Sequence, residues 1–546
     1  MIECNNLKKY FGDRLILKID ELKIYTSERI GIVGENGAGK TTLLKIISGA
    51  IKADEGRVRL EGRTAYITQL DYPPQKNIAP EWAAKFGVPI LWQDTLSGGE
   101  KTRFKLAAAL SSEPEILLAD EPTGNLDLEA LELLEKKFSE YKGALLLVSH
   151  DRKFLDSQCH KILEIRRGEI KVYQGNYSAY REQKKAEEIK EATEYAEYLD
   201  EKKRLQGAMR ELGDQSRKVR KAPCRMGNSE ARLHKMGDQR AKHSLDRAKK
   251  GIKSRLEQLA IKEKPENAAK IKLDIVSKEK RNDKVIIRGE NISRSFGEKI
   301  IFNDAGFVLR SGAKVALFGV NGSGKTTLLR MIAEGAPGIE STKELKSGYF
   351  SQEMDILQPE LSILDNVMRK SIYPEHFART LLARLLFRRE DVSKKVEVLS
   401  GGERVKLSFA KIILEDYDLL LLDEPTNYLD IPALEVIEEA LQSYQGTMLF
   451  VSHDREFCEK IADEIMVIEA GKIIQYQGSY TEYLNKKRES ERRVGSGQKA
   501  ELLVLENRLA EVIGKIAAKD KKSDLSELDR EFSELKNKID ILRLRE

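Results

Sequence analysis

The sequence predicts an α/β protein with two homologous domains, a long α-helical hairpin between them and a helical coiled coil at the C-terminus. Three observations lead to this prediction. One set of motifs occurs twice in the same order, each copy joins strand-like apolar runs to helix-like runs, and charged helix-forming stretches follow both copies. The expected domains are residues 1–180, 181–283, 284–485 and 486–546.

Composition excludes several classes of protein. The 546 residues are 40% hydrophobic and 34% charged, which rules out a collagen-like fibre and a wholly disordered chain. No apolar run approaches ~20 residues, and the N-terminus lacks the apolar core of a signal peptide. The spacing of the four cysteines suits neither a metal site nor a disulfide scaffold, so we expect reduced thiols and a cytoplasmic protein. These cysteines are Cys4, Cys159, Cys224 and Cys458.

The internal repeat defines the two domains. GENGAGKTTLLKII, from Gly34, recurs as GVNGSGKTTLLRMI from Gly319, an offset of 285 residues. LSGGE, DEPT, SHD and YQG motifs recur at an offset of 303 residues. The offset grows because 28 residues separate Gln69 from Ser97, whereas 48 separate the matching pair in the second copy. The first copy is therefore the shorter one in this interval.

Each copy contains a phosphate-binding loop. The pattern G-x-x-x-x-G-K-T lies between an apolar run that suits a buried strand and a run that suits a helix, which is the context it requires. The glycines let backbone N–H groups approach phosphates, the lysine reaches the β- and γ-phosphates, and the threonine hydroxyl binds Mg²⁺. The expected contacts are Gly34, Asn36, Gly37, Gly39, Lys40, Thr41 and Thr42, and in the second copy Gly319, Asn321, Gly322, Gly324, Lys325, Thr326 and Thr327.

An apolar strand ends in two carboxylates in each copy. We expect Asp120 and Asp423 to hold Mg²⁺, directly or through water, while Glu121 and Glu424 polarise the attacking water. The pair could instead cap the next helix, but a phosphate loop upstream in the same domain favours the catalytic role.

Three further residue types recur in both copies. The glutamines follow short strands, the histidines follow apolar strands and suit a γ-phosphate contact, and the phenylalanines could stack on a purine. Structural roles, including a place in the core for the aromatic rings, are the alternatives. The residues are Gln69 and Gln352, His150 and His453, and Phe11 and Phe296.

Together these motifs resemble the ATP-binding cassette ATPases over residues 1–180 and 284–485. In that family two cassettes close head-to-tail, and each nucleotide lies between one phosphate loop and the other cassette's LSGGE segment. The resemblance implies ATP hydrolysis at two composite sites with ATP and Mg²⁺ bound. One site would combine Lys40, Asp120, Glu121 and His150 with Ser400, Gly401, Gly402 and Glu403. The other would combine Lys325, Asp423, Glu424 and His453 with Ser97, Gly98, Gly99 and Glu100. The Mg²⁺ ligands would be Thr41, Gln69 and Asp120, and Thr326, Gln352 and Asp423.

One motif departs from the usual form. The first copy reads EPTGNLD, with Gly124 where the second copy has Asn427 in EPTNYLD. The loop in copy one is therefore expected to differ slightly, although it retains Asp127.

The segment between the copies is helical and basic. Residues 181–212 contain no proline and one glycine, residues 234–261 again suit a helix, and Pro223 lies in the break between them. Residues 202–256 carry a net charge of +13 in a chain of net +6, which points to an anionic partner, either nucleic acid or an acidic membrane. We expect a hairpin with a reach of ~45 Å; a disordered linker is the alternative.

Tandem cassettes joined by such a segment resemble the ABC-F class, in which the junction is called the P-site tRNA-interaction motif. This implies a cytoplasmic protein, monomeric with its two cassettes paired, that binds neither membrane nor DNA. It would bind the 70S ribosome at the E site, with the hairpin near 23S rRNA and the P-site tRNA and directed toward the peptidyl-transferase centre. The expected contacts are Arg217, Lys218, Arg220, Lys221, Pro223, Arg225, Met226, Arg232 and Lys235.

Within that class the short interval before Ser97 leaves no room for the extra arm of many housekeeping members. With the long hairpin and the helical tail, this resembles the members that protect ribosomes from antibiotics acting on the 50S subunit. A non-resistance translation factor is the alternative, and an ATPase subunit of a membrane transporter is a remote one.

Overall fold

A computed structural model describes most of the chain, which forms two compact units. The described residues are 1–68, 75–124, 126, 128–218, 228–259, 262, 284–297, 299–342, 345–351, 356–427, 429–487, 489, 505, 508, 509, 512, 530, 535 and 536. The first unit comprises Met1–Trp92, Phe104–Thr123 and Leu133–Asp274. The second comprises Gln93–Arg103, Gly124–Glu132 and Ile275–Glu546.

The first copy contains two sheets. Its strands are β1 (Ile2–Phe11), β2 (Arg14–Ile24), β3 (Arg29–Val33), β4 (Glu55–Leu60), β5 (Thr64–Ile67), β6 (Ile116–Asp120), β7 (Ala144–Val148), β8 (Lys161–Arg166) and β9 (Glu169–Gln174). An antiparallel sheet has the order β2-β1-β4. A six-stranded sheet has the order β5-β6-β7-β3-β8-β9, in which β8 and β9 pair antiparallel and the other neighbours are parallel.

Two interior strands of this sheet are completely buried. Every residue of β6 and β7 is buried, which is why both read as continuous apolar runs rather than alternating ones. The helices are α1 (Lys40–Ile47), α2 (Pro80–Phe86), α3 (Gly98–Ser111), α4 (Leu128–Glu140) and α5 (Arg152–Gln158). The phosphate loop connects β3 to α1, so it lies at the carboxyl end of a central parallel strand, where open α/β sheets bind ligands.

A helical hairpin follows the first copy. Its helices are α6 (Tyr177–Lys218) and α7 (Asn228–Gln258). Ser216 donates a hydrogen bond to Asp246 (3.1 Å), and Lys262 forms an ion pair with Glu194, so the two arms pack antiparallel. The predicted hairpin is confirmed, but α6 starts before residue 181. At 1.5 Å per residue its 42 residues span ~63 Å, more than the ~45 Å expected.

The second copy repeats the architecture of the first. Its strands are β10 (Val285–Phe296), β11 (Lys299–Arg310), β12 (Lys314–Gly319), β13 (Ile339–Ser341), β14 (Ser347–Phe350), β15 (Leu419–Asp423), β16 (Thr447–Val451), β17 (Glu464–Glu469) and β18 (Lys472–Gln477). Its helices are α8 (Lys325–Glu334), α9 (Ile363–Met368), α10 (Glu375–Arg384), α11 (Gly401–Leu414), α12 (Ile431–Ser443) and α13 (Arg455–Ile461). The sheet orders, β11-β10-β13 and β14-β15-β16-β12-β17-β18, match those of copy one.

Three stretches of the prediction fall largely outside this description. Most of the tail, residues 486–546, belongs to the part of the chain that is not described, so its coiled coil stays a prediction. Residues 219–227, at the predicted tip of the hairpin, and residues 263–283, at the end of the predicted hairpin segment, are also not described. Within the described residues, no helix is both long enough and apolar enough to cross a membrane.

Candidate functional site

The first phosphate loop has the geometry that binding phosphate requires. Gly39 precedes α1 in a left-handed conformation (φ 104°), and no side chain caps the helix. The first N–H groups of α1 are therefore free of a side-chain cap and carry the positive end of the helix dipole. Lys40 Nζ donates to the carbonyl oxygens of Gly34 (2.7 Å) and Glu35 (3.0 Å), which holds the ammonium group at the loop.

The same geometry recurs in the second copy. Gly324 precedes α8 with φ 106°, and a Cβ there would lie 2.3 Å from Ile301 Cγ2, so this position accepts only glycine. Lys325 Nζ donates to the carbonyl oxygens of Gly319 (2.7 Å) and Val320 (3.3 Å).

A buried aspartate faces each loop. Asp120 ends β6 and is 2% exposed; burial raises its pKa, and hydrogen bonds from the hydroxyls of Thr41 and Tyr66 partly oppose that shift. Asp423 ends β15 in the same way, with a raised pKa and a hydrogen bond from Thr326. A carboxylate beside a threonine hydroxyl is the oxygen donor set that suits Mg²⁺.

Two tyrosines at this position were missed by the sequence reasoning. Tyr66 Oη donates to Asp120 Oδ2 (3.4 Å), and Tyr349 Oη donates to Asp423 Oδ2 (3.5 Å). Each tyrosine lies three residues before the predicted glutamine of its copy, on β5 or β14. Their recurrence at that spacing in both copies was the signal that could have identified them.

The candidate general base of copy one is buried beside a histidine. His150 donates its backbone N–H to Glu121 Oε2 (3.2 Å), and its Nε2 lies 3.3 Å from Glu121 Oε1. Burial raises the pKa of Glu121 to about 8, and the charge of Lys40 opposes part of that shift. Glu121 and His150, which were predicted for the same site, therefore lie beside each other at the end of the sheet; their roles toward water and the γ-phosphate stay predictions.

The second copy places its glutamate and histidine in the same way. His453 Nε2 lies 3.1 Å from Glu424 Oε1. The other oxygen, Glu424 Oε2, is buried and accepts no hydrogen bond from any described residue. A buried carboxylate oxygen without a donor suits an incoming water, which is what a general base must bind.

The LSGGE segments form helix caps. Ser400 caps α11: its backbone N–H (2.8 Å) and hydroxyl (2.6 Å) both donate to Glu403 Oε2. In copy one Glu100 Oε2 accepts the same two bonds from Ser97, at 2.9 and 2.7 Å. The two glutamates thus stabilise helix N-termini, a role that S-x-x-E indicates in sequence. Their predicted contact with ATP remains a prediction.

The predicted purine-stacking rings are exposed, and each has a cation on one face. Phe11 is 53% exposed, with Lys9 Nζ 5.7 Å from the ring centroid. Phe296 is 55% exposed, with Arg294 5.5 Å from its ring. Rings this exposed are not core residues, so the core alternative does not hold for either ring, and stacking on a purine stays a prediction.

Several predicted residues lie outside the described part of the chain. They are Gln69, Asp127, Arg220, Lys221, Pro223, Arg225, Met226 and Gln352. Arg217, Lys218, Arg232 and Lys235 belong to α6 or α7, but their side chains are not described.

Each compact unit presents one phosphate loop, one Mg²⁺-type carboxylate and one glutamate–histidine pair. This is the set needed to bind a nucleoside triphosphate and activate water.

Comparisons with known proteins agree with this geometry. A family model described as ABC transporter matches residues 17–89, 85–124 and 302–427. Ribosome protection protein VmlR of Bacillus subtilis (strain 168) is 31% identical, covering 99% of this chain and 98% of its own. The erythromycin resistance ATP-binding protein MsrA of Staphylococcus epidermidis is 32% identical over 85% of this chain and 96% of its own. The structure of an RNase-L inhibitor shares the fold, with a TM-score of 0.60 at 20% identity over 89% of this chain and 93% of that one.

The fold, the two repeated sites and these relatives lead to one assignment. Both cassettes keep the lysine, aspartate and glutamate that binding and hydrolysis of a nucleoside triphosphate require, and a relative more than 30% identical extends over almost the whole chain. The chain therefore belongs to the ABC-F family of tandem ATP-binding cassette proteins and is an ATPase.

Proposed function

We propose that this protein binds the bacterial 70S ribosome at the E site and protects it from antibiotics that act on the 50S subunit. The observation that carries the proposal is the hairpin of α6 and α7, which belongs to the same compact unit as the first phosphate loop. An arm of ~63 Å reaches well beyond a domain of this size. It could place its tip near the peptidyl-transferase centre.

The charge along the hairpin suits RNA. Residues 182–201, nearest the cassette, carry a net charge of −5, whereas residues 202–256 carry +13. Arg247, Lys249, Lys250 and Lys253 are all exposed on α7. Positive charge away from the cassette would bind the phosphates of 23S rRNA or P-site tRNA. The proposed contacts from Arg217 to Lys235 belong to this basic part.

The resistance role is supported by the first cassette and by two relatives. Between residue 75 and Ser97 the only described helix is α2, with seven residues, so the interval holds no arm among its described residues. The relatives VmlR and MsrA are named for ribosome protection and for erythromycin resistance. These features favour ribosome protection over a translation factor that acts without a drug.

We propose that ATP drives the binding step through the two composite sites expected in the family. Mg²⁺, held by Thr41 and Asp120 and by Thr326 and Asp423, would neutralise charge on the phosphates. The Gln93–Arg103 segment, which carries Ser97, belongs to the compact unit that contains Lys325, and this supports their pairing. ATP would favour the closed cassettes and ribosome binding, and hydrolysis at the two glutamates would release the protein.

Co-sedimentation tests ribosome binding. The variant with both Glu121→Gln and Glu424→Gln should pellet with 70S ribosomes in the presence of ATP and stay in solution without it. The control is Glu55→Gln, an exposed residue paired with Lys8, which should hydrolyse ATP and pellet like the parent. If the double variant binds ATP and does not pellet, the ribosome proposal is wrong.

A second experiment separates protection from a general translation role. Cell-free bacterial translation is inhibited with a drug directed at the 50S subunit, and the parent protein is then added with ATP. Protection predicts that synthesis recovers with the drug and changes little without it. A change in synthesis that is equal with and without drug would favour the translation-factor alternative.

A further inference from the structure

A buried polar cluster holds the start of α6 against the first cassette. We define the root cluster as Glu164, Tyr173, Tyr180, Lys184 and Glu187. Glu164, on β8, is 9% exposed and accepts hydrogen bonds from Tyr173 Oη (3.2 Å), Tyr180 Oη (3.3 Å) and Lys184 Nζ (2.8 Å). The single hydroxyl proton of Tyr173 is shared between Glu164 and Glu187 Oε2, which is the nearer acceptor at 2.9 Å. One carboxylate thus binds donors from both β9 and α6.

Both tyrosines remain hydrogen-bond donors at any physiological pH, because burial raises their pKa well above its usual range. Their rings also pack edge to face, with centroids 4.9 Å apart. Glu164 accepts from donors on both β9 and α6, so removing Glu164 would leave buried polar groups on both elements without this partner.

The root cluster lies one strand away from the first phosphate loop. In the parallel pair of β3 and β8, Glu164 is registered with Val33, the last residue before Gly34. A Cβ on Gly34 would lie 2.5 Å from the carbonyl oxygen of Ile165, so the loop starts in close contact with β8. If Gly34 moves when phosphates bind, this close contact is a path by which the movement would reach β8, which also carries Glu164.

The second copy has no carboxylate at the matching position. Val467 corresponds to Glu164, and Phe318 corresponds to Val33. Phe318 stacks on Tyr480 with centroids 5.1 Å apart, and on Tyr483 at 6.3 Å. The equivalent junction keeps aromatic rings and a lysine, Lys487, but lacks the carboxylate, which occurs in the copy whose chain continues into the hairpin.

We propose that the root cluster couples nucleotide binding at the first phosphate loop to the orientation of the hairpin, with Glu164 as the positioning residue. The proposal adds a regulatory element to the proposed function and rests on it only for the role of the hairpin. Because α6 is one continuous helix of 42 residues, a tilt of about 5° at its root moves its far end by about 5 Å. A small change at Gly34 is thereby amplified along the arm.

Distance measurement in the free protein tests this without ribosomes. Spin labels are placed at Gly207→Cys on α6 and at Lys142→Cys on the first cassette, in a Cys224→Ser background. Both sites are exposed, and both belong to the first compact unit. We expect a non-hydrolysable ATP analogue to shift the distance distribution by several ångströms.

Variants of the root cluster should reduce that shift without loss of nucleotide binding. Glu164→Gln removes the charge but keeps the volume, Glu164→Val installs the residue of copy two, and Lys184→Met removes one donor. Each is expected to at least halve the analogue-induced shift while analogue affinity stays within about twofold. Lys185→Met, at an exposed neighbouring lysine, is the matched control and should behave like the parent.

Two outcomes would overturn the proposal. Either the parent shows no analogue-induced shift, or the Gln and Met variants keep the full shift. A purely structural anchor would instead lower melting temperature and analogue affinity together while leaving the shift intact. Should Glu164→Val fail to fold, the other two variants carry the test. Because no ribosome is present, failure here is distinguishable from failure of the proposed function.

Discussion

Backbone strain marks both candidate general bases. Glu121 has φ 51° and Glu424 has φ 50°, a left-handed conformation that costs a non-glycine residue about 1–3 kcal/mol. The flanking structure maintains it: the N–H of Glu121 donates to the carbonyl of Val148 (2.9 Å), and the N–H of Glu424 donates to that of Val451 (3.0 Å). This left-handed conformation directs each carboxylate from the end of its strand toward the histidine of its own copy. No feature of the motif DE indicates this in sequence.

At the same scale, the phosphate-loop glycines differ in what they tolerate. Gly324→Ala is expected to abolish nucleotide binding at the second site and to destabilise the fold by about 1–3 kcal/mol, because a left-handed residue there also collides with Ile301. The measurement is titration with a fluorescent ATP analogue in the Lys40→Ala background, together with the melting temperature.

Gly322→Ala is the matched control for that substitution. Its φ of 77° is also left-handed, but the nearest atom to a new Cβ is Nζ of Lys299 at 3.1 Å, the end of a flexible side chain. We expect it to bind the analogue more tightly than Gly324→Ala. Equal losses in the two variants would show that backbone strain alone, without the collision, explains the requirement for glycine.

Thiol chemistry gives a second test of single residues. Cys4, Cys159 and Cys458 are buried as free thiols, and burial raises the pKa of Cys4 to about 11 and that of Cys159 to about 12. Little thiolate forms at pH 8, so iodoacetamide should leave these three unmodified in the native protein. Intact mass should therefore show at most one adduct, none in Cys224→Ser, and four after unfolding of the parent. More than one adduct before unfolding would contradict the burial of these thiols.

At the scale of elements, a buried ion pair joins α11, the helix that begins in LSGGE of copy two, to Asp430, the last residue of EPTNYLD. Lys406 on α11 donates to Asp430 Oδ2 (2.8 Å), and Asp430 also caps α12 by accepting from the N–H of Ala433 (3.1 Å). Removing one partner of a buried pair costs about 3–5 kcal/mol. Lys406→Met should therefore lower the midpoint of urea unfolding of the second unit substantially.

The control for this buried pair is a solvent-exposed ion pair on the protein surface. Lys85 and Glu81 form an exposed i,i+4 pair on α2, so Lys85→Met should leave the urea midpoint unchanged. If Lys406→Met also leaves the urea midpoint unchanged, then the helix cap holds Asp430 in place without the lysine.

Local motifs and tertiary contacts differ in how far the sequence predicts them. The phosphate loops were predicted because eight consecutive residues fix their geometry. The start of α6 could also have been predicted, since the Asn176 side chain accepts the N–H of Ala179 (3.1 Å) as a helix cap does. The placement of Glu164 beside the phosphate loop could not, because it depends on the register of β8 against β3, which aligns Glu164 with Val33, 131 positions away. The contact of Tyr66 with Asp120 also joins two strands far apart in sequence, and only the recurrence of the tyrosine in both copies could have indicated it.

At the scale of the whole molecule, the distribution of charge should decide how the protein binds. The hairpin is acidic near the cassette and basic beyond it, so phosphate contacts should arise only from the basic part. We predict that Lys249→Glu with Lys250→Glu weakens 70S binding and lowers the dependence of log Kd on log salt by up to about 2, one unit for each lost phosphate contact. ATP hydrolysis without ribosomes should be unchanged, because neither lysine belongs to an ATP site.

The matched control reverses the charge at two exposed lysines in the acidic part of α6. Lys185→Glu with Lys190→Glu makes the same change in total charge at the same kind of exposed helical site. If long-range attraction by net charge were responsible, both double variants would weaken binding equally. If local phosphate contacts are responsible, only the α7 variant changes the salt dependence, measured by sedimentation between 50 and 200 mM salt. Equal slopes in all three proteins would contradict an RNA-binding role for α7.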